Sequence, residues 1–174
     1  MTLKKGRVFP IIITIILIII IIYLFATIKQ PYVVCSKQTT NNLGITIDEN
    51  IRVTLDTNSI EKMDLTKTLT FDEKYLEKQS TLNSIEYVLK TSYDYLPKST
   101  VEITKSSDKI IAHVTVDDDE TIILNNIEFE NANDLQIKIN ANTKAEDVVT
   151  LSINDKYTEG EFMTHMKNNG YTCN

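Results

Sequence analysis

Residues 45–71, ITIDENIRVTLDTNSIEKMDLTKTLTF, set the class of fold, because their apolar side chains recur at alternate positions. Ile45, Ile47, Ile51, Val53 and Leu55 alternate with Thr46, Asp48, Arg52 and Thr54, the period-two signature of a strand with one buried face. Asp56-Thr57-Asn58-Ser59 supplies turn residues. Met63, Leu65, Leu69 and Phe71 then resume the alternation against Asp64, Thr66 and Thr68. Two such runs joined by a short polar turn predict a β-hairpin.

After the hairpin the period changes. Asp72 is placed to cap a helix whose first turn holds Glu73, and Leu82, Ile85, Leu89, Tyr93 and Leu96 follow at spacings of three and four. Pro97 is expected to stop it. Val101 and Ile103 begin a third strand, Ser106-Ser107-Asp108-Lys109 turns the chain, and Ile110, Ala112, Val114 and Val116 line one face of a fourth. His113 falls on the opposite face of that strand.

Between residues 117 and 156 the pattern is weakest, with short strands expected at 121–124 and 135–139, and at 144–153 a strand or a short helix, of which the strand is the reading taken. The end is sharper. Thr158-x-x-Glu161 is a capping box, Phe162, Met163 and Met166 form an apolar stripe, and Asn169-Gly170 is a helix stop. The predicted class is α+β, an antiparallel sheet in the order β-β-α-β-β with later strands and a closing helix, its helices packed on the sheet.

At the amino terminus, residues 8–28 form an uncharged, apolar run, VFPIIITIILIIIIIYLFATI. About 21 residues at 1.5 Å rise span roughly 31 Å, the thickness of a bilayer's hydrocarbon core. The run is longer than the core of a cleavable signal and lacks an A-x-A-like site. Cys35 follows Val34 and stands apart from the apolar run, against the lipoprotein pattern. The segment therefore reads as an uncleaved transmembrane signal anchor whose partner is the lipid bilayer. Lys4, Lys5 and Arg7 before it predict a cytoplasmic amino terminus and an extracytoplasmic domain in a single-pass cell-membrane protein. The expected organisation is a basic terminus at 1–7, the anchor at 8–28, a polar stalk at 29–42 and the α+β domain at 43–174.

All 24 acidic residues and 15 of the 18 basic ones lie beyond residue 28, giving that part a net charge of −9. This argues against nucleic acid as a partner, since phosphate binding needs a basic footprint. It equally disfavours docking on anionic lipid. The only two cysteines, Cys35 and Cys173, bracket the domain and are expected to form a structural disulfide outside the membrane.

The order of elements and the ending from Phe162 to Tyr171, with its Asn-Gly-Tyr close, resembles the YehR-like family of small bacterial surface lipoproteins. The resemblance spans residues 43–172 and implies a β-β-α-β-β core with a final amphipathic helix. Two departures are the missing lipid-attachment pattern and the extra material at 117–156. It implies location and architecture, and carries over no functional residue.

No nucleophile elbow, phosphate-cradling glycine loop or metal-ligand spacing occurs in the sequence. His113 and His165 fall on different elements, and Asp117-Asp118-Asp119-Glu120 reads as a solvated turn rather than a Ca²⁺ loop. Tyr87, Tyr93 and Tyr95 share the long helix and read as core and rim. No catalytic, cofactor-binding or metal-binding residue is assigned, and no cofactor is expected. The expected function is a non-enzymatic envelope module that binds a protein or other surface component. The alternative is a cell-envelope hydrolase with dispersed catalytic carboxylates, which would show paired acids in an open cleft.

Overall fold

The computed structural model describes residues 16–19, 32–76, 79–124, 127–130, 136–139 and 149–174. The chain divides into two compact units, Met1–Gln30 and Pro31–Asn174. Within the first, residues 16–19 are helical, and their side chains are about half exposed. Among the described residues no helix is long and apolar enough to cross a membrane. Apart from those four positions, the expected anchor at 8–28 lies outside the described residues.

The second unit is built on a six-stranded antiparallel sheet. Its strands are β1 (Tyr32–Thr40), β2 (Thr46–Asp56), β3 (Ser59–Thr70), β4 (Thr100–Lys105), β5 (Lys109–Val116) and β10 (Thr172–Cys173). They run in the order β10-β1-β2-β3-β5-β4. The expected hairpin is β2–β3, closed by Thr57 and Asn58 at φ 48° and 60°. Two left-handed residues make the tight turn whose twist matches the flanking strands.

One residue then upsets a simple count. Leu55 faces Ile60 but Thr54 faces Lys62, so Glu61 is the inserted residue of a bulge. Without it the alternation of β3 would reverse, and Met63, Leu65 and Leu69 would face solvent.

Three helices cover one face: α1 (Glu73–Leu76), α2 (Gln79–Thr91) and α3 (Glu159–Asn168). Regular helix ends at Thr91, six residues before Pro97. The Thr91 hydroxyl donates to the Tyr87 and Val88 carbonyls and the Ser92 hydroxyl to that of Leu89. The chain tightens into i→i−3 turns through Leu96. Tyr93 and Leu96 remain buried, so the apolar phase outlasts the helix.

Two further antiparallel pairs join β6 (Thr121–Leu124) to β9 (Val149–Ser152) and β7 (Ile127–Glu130) to β8 (Gln136–Ile139). The expected strands at 121–124, 135–139 and 144–153 correspond to β6, β8 and β9 where the residues are described. β7 is additional.

The stalk expected at 29–42 requires a correction. From Tyr32 to Thr40 it is β1, paired over its whole length with β2. Its composition is polar, but a strand of an antiparallel sheet need bury only one face, and Val33 and Cys35 do so. The β2 backbone needs that neighbour, because its outward donors and acceptors would otherwise lack ladder partners.

Candidate functional site

A row of charge crosses the helix-covered face of the sheet. Register places Lys37 opposite Glu49, Glu49 opposite Lys67, Lys67 opposite Ala112 and Ala112 opposite Ile103. All belong to the phase that otherwise carries Ile, Leu and Val. The row divides the core into two apolar halves. One contains Cys35, Ile51, Val53, Leu65 and Val114 with Phe162 and Met166 of α3. The other contains Ile47, Leu69 and Ile110 with Leu82, Ile85 and Leu89 of α2.

At the centre Lys67 Nζ lies 2.6 Å from Glu49 Oε1. The Tyr171 hydroxyl donates to Glu49 Oε2 at 2.8 Å. Exposure is 3% for Lys67, 8% for Glu49 and 5% for Tyr171, so the group is sealed from solvent. Lys37 closes its outer side: its ammonium donates to the Asn169 carbonyl at 3.3 Å and stands 5.3 Å from the Tyr171 ring centre.

Burial alone would pull the Lys67 pKa down. The Tyr93 oxygen once ionised, the Glu49 carboxylate and the hydrogen bond to Glu49 outweigh it, and the value is raised. Burial pushes the Tyr171 phenol up, and the neighbouring Glu49 carboxylate adds to that. Tyr93 is also raised, by burial first, with Lys67 acting against it.

Such a pair contributes little net stability, because desolvating two charges offsets most of their attraction. It does constrain register. A two-residue slip of β3 on β2 would keep every face correct, yet set Glu49 against Leu65 or Leu69 and Lys67 against Ile51 or Ile47. Both charges would then be buried without their partners, at a cost of about 3–5 kcal/mol.

Tyr171 reaches the row because α3 ends in a complete stop. The Tyr171 N–H donates to the Met166 carbonyl and the Gly170 N–H to that of Lys167, with Gly170 at φ +84°. This is the paired-bond C-terminal motif that favours glycine. At the other end the Thr158–Glu161 capping box is fully formed. Its hydrogen bonds to the Thr158 backbone and hydroxyl hold the Glu161 carboxyl below its usual range.

Of the residues singled out in the sequence, Cys35 and Cys173 are brought together. They are direct partners across β1 and β10, joined by a disulfide with Cα atoms 4.1 Å apart. The histidines stay apart: His113 Nδ1 lies 3.0 Å from the Thr66 hydroxyl on the outer sheet face, while His165 stacks obliquely on Tyr157.

The acidic quartet diverges. Asp117 faces Lys62, Asp118 faces Lys98, and Asp119 accepts from Asn154 Nδ2 at 2.6 Å. Glu120 is not solvated as expected. It is buried and accepts from the Lys98 N–H at 2.7 Å and from the Ser99 hydroxyl. Among the described residues no three His, Cys, Asp or Glu side chains are grouped to hold a metal. The three tyrosines expected on one helix do not share it: exposed Tyr87 is on α2, whereas Tyr93 and Tyr95 lie in the turns beyond Thr91, Tyr93 buried and the Tyr95 oxygen accepting from the Ile123 N–H at 3.1 Å.

Glu49, Lys67 and Tyr171 were not candidates in the sequence. The available signal was one charge in the apolar phase of each hairpin strand, at positions the bulge makes opposite. Comparison with known proteins yields no matching family model, no matching curated protein and no matching solved structure.

Proposed function

We propose that this chain is a non-enzymatic binding module of the cell envelope. In this reading residues 8–28 tether it to the membrane with the amino terminus cytoplasmic and the domain outside. It takes an envelope protein or other surface component as partner, in keeping with the YehR-like resemblance. The observation that carries the reading is the contrast between the two faces of the sheet. The helix-covered face encloses its charges: Glu49 and Lys67 neutralise one another out of reach of any substrate. The outer face is polar and none of its strand residues is buried, with Asn50, Arg52, Thr66, Thr68, His113 and Glu102 spread over four strands. A polar hydrogen-bonding face of this kind suits surface recognition, whereas hydrolysis needs acids converging on a cleft.

The test is site-specific photo-crosslinking in intact cells expressing the full chain, with the crosslinker placed at Asn50, Thr66 or Glu102. A discrete adduct from these positions, absent with the crosslinker at exposed Tyr87 on α2, is the expected result. Equal, diffuse labelling from both faces would sink the reading.

A further inference from the structure

The carboxyl-terminal residues form a strap over the buried charge pair. β10 is the outermost strand of the sheet and only two residues long. Beyond it the Asn174 N–H donates to the Val34 carbonyl at 3.1 Å and the Val34 N–H donates back at 3.2 Å. Before it, Gly170 turns Tyr171 inward between Lys37 and Glu49. The inner end of the strap plugs the ion pair, and its outer end is fastened covalently through Cys173 to Cys35. A two-residue edge strand has little hold of its own, since short pairings at a sheet edge open most readily.

We propose that the strap is a redox latch: opening the Cys35–Cys173 disulfide frees residues 169–174, withdraws Tyr171 from Glu49 and admits solvent to the Glu49–Lys67 pair, with the remaining sheet intact. The reductant is a dithiol. One of its thiolates attacks the sulfur of Cys173, which is the half-buried partner on the edge strand, whereas Cys35 is fully buried. The Cys35 sulfur leaves as a thiolate and takes up a proton. The second thiol of the reductant then displaces Cys173, so the reductant becomes a disulfide and the protein a dithiol, two electrons having passed. The sheet outlasts this because β2, β3, β5 and β4 keep their ladders and α3 keeps Phe162 and Met166 in the core.

The full chain in detergent micelles, with and without dithiothreitol, provides the test. The probe is an amine-acylating ester, read at Lys67 by peptide mass spectrometry against exposed Lys74, alongside hydrogen exchange of β2 and β3. Lys67 should be refractory when oxidised and acylate about tenfold faster when reduced, with β2 and β3 protection retained. The oxidised Tyr171→Ala protein should show the same gain without reductant, because the plug is gone while the latch stays closed. Unchanged Lys67 reactivity in either case overturns the proposal. So does a rise that appears only together with loss of β2 and β3 protection.

Discussion

The half of the core under α3 and the half under α2 bury similar aliphatic side chains, yet they are fastened differently. α3 carries its own terminal devices: the capping box, Glu159 and Glu161 in the first turn, His165 and Lys167 in the last, and the glycine stop. The strand leaving it is bolted to β1 by the disulfide. α2 has no acidic residue in its first turn. Ser84 and Thr91 bond back to carbonyls of their own helix, as Thr164 does in α3. It is held by Leu82, Ile85 and Leu89 in the core, and from β4 by Lys105, which donates to Asn83 and pairs with Glu86, so tertiary contacts form that helix. One half is closed by local chemistry and a covalent bond, the other by burial.

The largest break in this contrast should come from the disulfide. The cysteines are 138 positions apart, and in the chain-entropy model a bridge over so long a loop contributes about 5 kcal/mol. Reduction should lower the urea midpoint accordingly, with hydrogen exchange rising first in residues 169–174 and not in α2. Simultaneous loss of both helices would show that the halves are one cooperative unit.

The row between the halves comes next. Lys67→Met should destabilise by about 4 kcal/mol, because Glu49 is left buried without its counter-charge. Adding Glu49→Leu and Tyr171→Phe should recover most of that loss in the same urea titration. If the triple variant stays as weak as the single one, the pair contributes stability directly and its role in register is secondary.

Within the α2 half, Leu89→Ala should cost about 3 kcal/mol and abolish most α2 protection. Thr158→Ala and Gly170→Ala on α3 should each cost about 1 kcal/mol, the first by losing the cap and the second by strain at positive φ. Thermal melts of the three variants rank the two modes of fastening. A Thr158→Ala loss equal to that of Leu89→Ala would erase the distinction.

The smallest effect is confined to alkaline pH. Lys67, Tyr171 and Tyr93 hold their protons to higher pH in the fold than in the unfolded chain. Their contribution is complete below about pH 10 and is lost as pH rises through that region. Stability should be flat from about pH 7 to 9 and then fall, less steeply in the triple variant.

The hairpin, the fourth strand and the capped helix were legible because each repeats a local rule many times over. The β2 alternation and Thr158-x-x-Glu161 are patterns that side-chain spacing alone produces. β1 was hidden because Ser36, Lys37, Gln38, Thr39 and Thr40 have loop composition, and strand pairing is a property of the neighbour. The Glu49–Lys67 row was hidden for a related reason: only the bulge at Glu61 makes the two positions face one another. Tyr171 lies 122 positions from Glu49, and no local pattern links them.

The disulfide also changes what a protease can accomplish. From Cys35 to Cys173 the domain is a closed covalent ring, joined to the preceding chain at one point. A single cut at any peptide bond inside that ring opens it but releases nothing, since each fragment remains connected through the two sulfurs. Separating a piece of the ring takes a second cut within it, or one cut plus a reductant. A chain nicked once between Cys35 and Cys173 therefore stays covalently whole.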